Sequence, residues 1–215
     1  DAQAAKISQA FGRVVLDEAQ TQLRAAGIAD VTTRLRIGDI VEEVAAYEAD
    51  ADMVVIGKRG EAADFVKLGL GANLERIVRS SRKPVFVAAR AFTPVKRFLI
   101  AFDGGVSSRK AVDHVAASPL FAGLSCSLLM AGADTPATRA PLAEAQATLE
   151  AAGYDVDAAI VEGPADLLIA SAVEAEDIGL LVMGAYGHSR IRNLIIGSTT
   201  AEMIRLCKIP VMLFR

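Results

Sequence analysis

Residues 184–198 read GAYGHSRIRNLIIGS: glycine, two residues, glycine, nine residues, glycine, then serine. A continuous apolar run, IGLLVM at 178–183, leads into this segment, and helical spacing begins at Ser198. At such a junction the first N–H groups of the helix lack partners, and the positive end of its dipole favours an anion. Glycines let the backbone come close to a phosphate and adopt positive φ without a Cβ clash. Ser198 adds a hydroxyl beside the N–H groups of Ser198 and Thr199. The pattern is neither the dinucleotide GxGxxG nor a Walker A loop, since no Gly-Lys-Ser/Thr follows. Taken alone, these residues fit two readings: a phosphate cradle, or a glycine-rich loop that only turns the chain.

Other side chains carry less. His188 could touch a terminal phosphate, and Arg190 and Arg192 could clamp its oxygens, but each also suits a solvated loop. Asp103, after the run FLIAF, could help hold Mg²⁺, although a single carboxylate is weak ground for a metal site. Ser107 and Ser108 read as helix caps rather than nucleophiles, because no His–Asp pair is suggested beside them. His114 reads as a packed or solvated helix residue. No general base and no paired carboxylates stand out on the glycine loop, so catalysis has little support.

The elements that must position these residues follow from periodicity. Residues 98–102 form a continuous apolar run, a strand buried on both faces, followed by the turn Asp103-Gly104-Gly105 and a helix to about 117. Strands at 125–131, 154–161, 178–183 and 210–214 alternate with helices at 136–152, from Gly163-Pro164 to about 176, and at 198–208. Such alternation requires right-handed crossovers and a parallel sheet. In the first half, helices are expected at 5–26, 39–49 and 72–81, with Asp39 as an N-cap. Strands are expected there at 31–37, 53–56 and 84–88.

The two halves repeat one another. ADMVVIG at 51–57 lies over IGLLVMG at 178–184, and GANLERIVRSSRKPVFV at 71–87 over GSTTAEMIRLCKIPVML at 197–213. Gly57 and Gly60 match Gly184 and Gly187, while Gly71 and Pro84 match Gly197 and Pro210. The joint falls near Thr93-Pro94, giving domains 1–93 and 94–215. The first half has no counterpart of the strand, helix and strand at 96–131, so its own first two strands are expected to lie upstream of residue 1 or to have been lost. Its loop also has ten residues between Gly60 and Gly71, and Ala72 stands where Ser198 stands. Lys58, Arg59 and Lys67 could attract an anion there, but charged loop residues of this kind are usually just solvated. Val85 and Val211 are expected on exposed edge strands that invite pairing, between halves or between chains.

Composition narrows the class. Lys+Arg 23 against Asp+Glu 26 is too balanced for a nucleic-acid binder that works by neutralising phosphates. Aromatic residues are 5% with no Trp, which argues against stacking platforms for single strands. Hydrophobic residues at 53% exclude disorder. No apolar run approaches the roughly 18 residues of a membrane span, so no membrane partner is expected. Cys126 and Cys207 read as buried reduced thiols, in keeping with a cytoplasmic setting.

With the glycine spacing, the flanks LLVMG and KIPVMLF, and AFDGGVSSRKAV after the first strand, the chain resembles the universal stress protein family, as a tandem member. The resemblance implies an α/β fold of two repeated doubly wound parallel sheets, adenine nucleotide alpha hydrolase-like, with strand order 3-2-1-4-5 and pairing through the last strands. It also implies ATP at the carboxyl ends of the strands in the second domain, with or without Mg²⁺. Gly184, Gly187, Gly197, Ser198 and Thr199 would hold phosphates and ribose, Asp103 the adenosine moiety, Ala131 the adenine and Met183 the ribose side. The function implied is a stress-response regulator whose nucleotide orders the loop and biases a surface read by partners. A homodimer or an intramolecular domain pair would carry it. The competing expectations are a slow ATPase and a dimerisation module that binds no nucleotide.

Overall fold

Phe98, Leu99 and Ile100 have no exposed surface, and the sheet extends to either side of them. The computed structural model describes residues 2–57, 72–185 and 198–215. They group into two units, Asp1–Glu43 and Val44–Arg215. In chain order the elements are α1 (Ala2–Ala25), α2 (Ile40–Glu48), β1 (Val54–Gly57), α3 (Ala72–Ser80), β2 (Val85–Ala88) and β3 (Arg97–Ala101). Then come α4 (Val106–Ala117), a 3₁₀ turn (Pro119–Phe121), β4 (Ser125–Ala131), α5 (Pro136–Ala151) and β5 (Val156–Val161). The chain closes with α6 (Ala165–Ala175), β6 (Leu180–Gly184), α7 (Ser198–Leu206) and β7 (Val211–Phe214).

Seven strands form one sheet in the order β1-β2-β7-β6-β3-β4-β5. The five strands of the second half run parallel in the order 3-2-1-4-5 that the resemblance implies. β7 then meets β2 of the first half antiparallel, with Val85 opposite Leu213 and Val87 opposite Val211. The edges at Val85 and Val211, expected to invite pairing, are covered by it: the two residues are 2% and 1% exposed. The pairing that the sequence left open, between halves or between chains, is made within this chain at these strands.

α4 and α5 cover one face of the second half. Val112, Val115, Leu142 and Leu149 pack there against Phe98, Ile100, Leu128 and Val182. The Phe98 ring meets Phe121 edge-on at 5.1 Å and Tyr154 at 5.9 Å between centroids. The Tyr154 hydroxyl donates to the Val115 carbonyl at 3.1 Å, which satisfies its polar end. Both cysteines are free and buried, and burial pushes the Cys126 thiol up to about 12, so it is inert as a nucleophile.

Within Asp1–Glu43, α1 ends at Gly27, whose φ of +91° lets Ile28 N–H reach back to the Leu23 carbonyl at 3.0 Å. Ile7, Phe11, Val14 and Val15 of this helix are exposed. The strand expected at 31–37 is not formed; the segment is irregular. Alternation of apolar and polar residues makes a strand only beside a partner, and no described strand pairs with this one. The segment is fixed instead by Gln20 Nε2 donating to the Val31 carbonyl at 3.1 Å. Asp39 caps as expected, accepting from Val41 N–H at 2.9 Å.

His114 of α4 packs against the rings of Phe121 and Phe214, and its Nε2 has no hydrogen-bond partner among the described residues. Burial holds its pKa below the ordinary imidazole value, against an opposing pull from the Asp52 carboxylate. The folded chain thus resists a proton that the unfolded chain accepts below about pH 6.5. Stability contributed here is complete above that pH and is lost as pH falls through it. Urea midpoints of the native chain should fall between pH 7 and pH 5 by more than those of His114→Phe. Parallel profiles would remove His114 from the account.

Candidate functional site

The carboxyl ends of β3, β4 and β6 come together because the register is continuous: Ala101 pairs with Leu129 on one side and with Met183 on the other. Asp103 lies two residues past β3 and is exposed. Its Oδ1 accepts from Gly105 N–H at 2.8 Å and from the Ser108 hydroxyl at 2.6 Å. Charge-assisted bonds of this length fix the carboxylate. Among the described residues Oδ2 accepts no hydrogen bond, so one oxygen is anchored and the other is available to a donor.

Ser108 links this carboxylate to β6. A Cβ built on Gly184 would stand 2.9 Å from Ser108 N and 3.0 Å from Ser107 Cβ. No residue but glycine allows α4 to approach the end of β6 so closely. The Gly184 carbonyl in turn accepts from the Thr200 hydroxyl of α7 at 3.5 Å. Asp103, Ser108, Gly184 and Thr200 thus form one connected row across the ends of β3 and β6 and the start of α7. Ala131, the last residue of β4, is half-buried, and Met183 is buried directly before Gly184.

The caps are corrected. Gly105 is the N-cap of α4 and no side chain caps it. Ser107 and Ser108 fall in its first turn, buried, where Ser108 serves the Asp103 carboxylate instead. A serine five residues after an aspartate, one turn into a helix, was the available signal for that bond. Thr200 escaped sequence reasoning too, although it directly follows Ser198-Thr199.

Gly187, Gly197, His188, Arg190 and Arg192 lie outside the described residues, as do Lys58, Arg59, Gly60, Lys67 and Gly71. Ser198 and Thr199 open α7 as expected, with their side chains outside the described set. No cluster of three or more metal-ligating side chains occurs among the described residues.

The repeat seen in the residues is matched at the level of the family. Residues 1–89 and 94–215 each fit the sequence pattern of the universal stress protein family. The chain belongs to the universal stress protein family. Universal stress protein Slr1230 of Synechocystis sp. (strain ATCC 27184 / PCC 6803 / Kazusa) is 38% identical over 213 residues, spanning 98% of this chain and 74% of that relative. The crystal structure of a universal stress protein from Archaeoglobus fulgidus DSM 4304 superposes with a TM-score of 0.77 at 22% identity. That superposition covers 100% of this chain and 79% of the other. A functionally unknown protein, PA1789 from Pseudomonas aeruginosa PAO1, matches at 0.63 and 17% identity over 94% of this chain and 77% of its own. These two likenesses are of fold.

Proposed function

We propose that this universal stress protein binds ATP, with or without Mg²⁺, in its second domain, and that the bound state is read by partners in a stress response. The domains are 1–93 and 94–215, the first without a working nucleotide site. The reading rests on one observation: the row Asp103–Ser108–Gly184–Thr200, which anchors one oxygen of Asp103 and leaves the other to accept. A carboxylate with an uncommitted oxygen suits the hydroxyl donors of a ribose. Gly184 brings the strand end against α4, and the Thr200 hydroxyl in the first turn of α7 reaches the Gly184 carbonyl, which sets the positive end of that helix beside the strand end. Ala131 leaves room for a flat base, Met183 gives an apolar floor, and Gly187, Gly197, Ser198 and Thr199 would hold the phosphates. The protein acts in the cytoplasm, and the β2–β7 seam does within one chain what a homodimer interface does between two.

The test is calorimetric titration of ATP into the folded, nucleotide-free chain and into Asp103→Ala. Micromolar affinity in the native chain, weakened about tenfold or more in the variant, is expected from losing a charged acceptor. Equal affinities would take Asp103 out of the site. Absence of ATP binding by the native chain would leave the glycines as turning residues and make the protein an interaction module.

A further inference from the structure

A polar cavity lies at the seam between the halves. It measures about 440 Å³ and is lined by Ser80, Ser81, Arg82, Lys110 and Arg215. Its three cations come from separate places in the fold: Arg82 follows α3, Lys110 sits on α4, and Arg215 follows β7. The antiparallel pairing of β2 with β7 brings the end of β7 beside the residues that precede β2, which is why they converge.

The three cations outnumber the one acidic side chain that, among the described residues, bonds to the lining, Glu48. Lys110 Nζ donates to the main-chain oxygen of Arg215 at 2.9 Å, and the Arg215 guanidinium donates to the Arg79 carbonyl. Neither acceptor is a carboxylate side chain, and none of the three cations enters a side-chain ion pair among the described residues. Beneath them is the carboxylate of Glu48, which accepts from the Ser81 hydroxyl at 2.7 Å and from Arg82 N–H at 3.1 Å. Those bonds engage the Ser81 hydroxyl and the Arg82 main-chain N–H, not the Arg82 guanidinium or the Lys110 ammonium. A chain of formal charge −3 therefore carries a pocket of the opposite sign, and a concave wall of like charges concentrates anions.

We infer that this pocket binds a compact polyanion of the phosphate class, pyrophosphate or a ligand's linked phosphoryl groups, and in doing so bridges the two halves. The volume lies within the range of small-ligand sites, about 300–1,000 Å³, and exceeds what one tetrahedral phosphate fills. Among the described residues no aromatic and no large apolar side chain lines it, so these offer a base or a lipid tail nothing to rest on. The Ser80 hydroxyl donates to the Ile77 carbonyl and that of Ser81 to Glu48. The grip thus falls to the two guanidinium groups, whose planar forks match phosphate oxygens, and to the ammonium. None of its residues belongs to the row at Asp103, so the inference does not depend on the nucleotide reading.

The experiment titrates pyrophosphate into the full chain by calorimetry, at low and high salt. It does the same with the double variant Arg82→Gln, Lys110→Gln, whose exposed side chains can lose charge without disturbing the core. Pyrophosphate should bind the native chain, more weakly at high salt, and at least tenfold more weakly in the double variant, while ATP affinity is the same in both. Thermal midpoints should rise with pyrophosphate in the native chain and hardly at all in the variant. Equal pyrophosphate affinity in the two proteins, or none in a folded native chain at millimolar concentration, overturns the inference. Parallel loss of ATP affinity in the double variant overturns it as well, since the cations would then belong to the nucleotide site. A chain that binds pyrophosphate as described but no ATP would sustain this site and sink the nucleotide reading alone.

Discussion

Gly184→Val is expected to lower stability by about 1–3 kcal/mol and to leave no measurable ATP binding. The nearest atoms to an added Cβ are main chain or close to it: Ser108 N at 2.9 Å, Ser107 Cβ at 3.0 Å and Ser107 C at 3.2 Å. Side chains at such distances could swing aside, but here α4 itself must move. It is held by Ala111, Val112 and Val115, all buried against the sheet. Displacing α4 pulls Ser108 away from Asp103 Oδ1 and shifts the Gly184 carbonyl that Thr200 holds. Urea denaturation and ATP titration on the same preparation check both parts. Native stability together with native ATP affinity would mean that the close approach constrains neither the fold nor the site.

The glycine pattern announced this region in the sequence, but not why Gly184 must be glycine. Periodicity reports a residue's own element; the constraint at Gly184 comes from α4, more than 70 residues earlier in the chain. For the same reason Ser108 read as a cap. Local rules place a serine at a helix start on the nearest N–H groups, whereas the carboxylate of Asp103 competes for it and wins. The parallel strands were legible because residues 98–102 and 178–183 are apolar without interruption, which only burial on both faces explains. The segment 31–37 failed the opposite way: it has the composition of a strand, and no described strand pairs with it. The cationic seam pocket had no sequence signal at all. Arg82, Lys110 and Arg215 are far apart in the chain and meet only because β2 and β7 pair antiparallel.

Phe98→Ala should destabilise the unit Val44–Arg215 by about 3–5 kcal/mol, a large share of the roughly 5–15 kcal/mol that holds a typical domain folded. Phe98 has no exposed surface, stands between Cys126 of β4 and Leu180 of β6, and meets two other rings edge-on. Its removal therefore forfeits the transfer term, the ring contacts and the volume that the backbone of three strands cannot close. Phe92→Ala is the control: at 90% exposure that ring should change stability by about 0.5 kcal/mol or less. The same variant separates fold from site. β3 ends at Ala101 and Asp103 follows it, but the bonds that set the carboxylate run to Gly105 and Ser108, not back into the core. In the fraction of Phe98→Ala that remains folded at low temperature, ATP should bind as tightly as in the native chain, with the deficit appearing in the urea midpoint. Weaker binding by that folded fraction would mean that core packing transmits to Asp103 along β3, and that the row at the strand ends is not self-supporting.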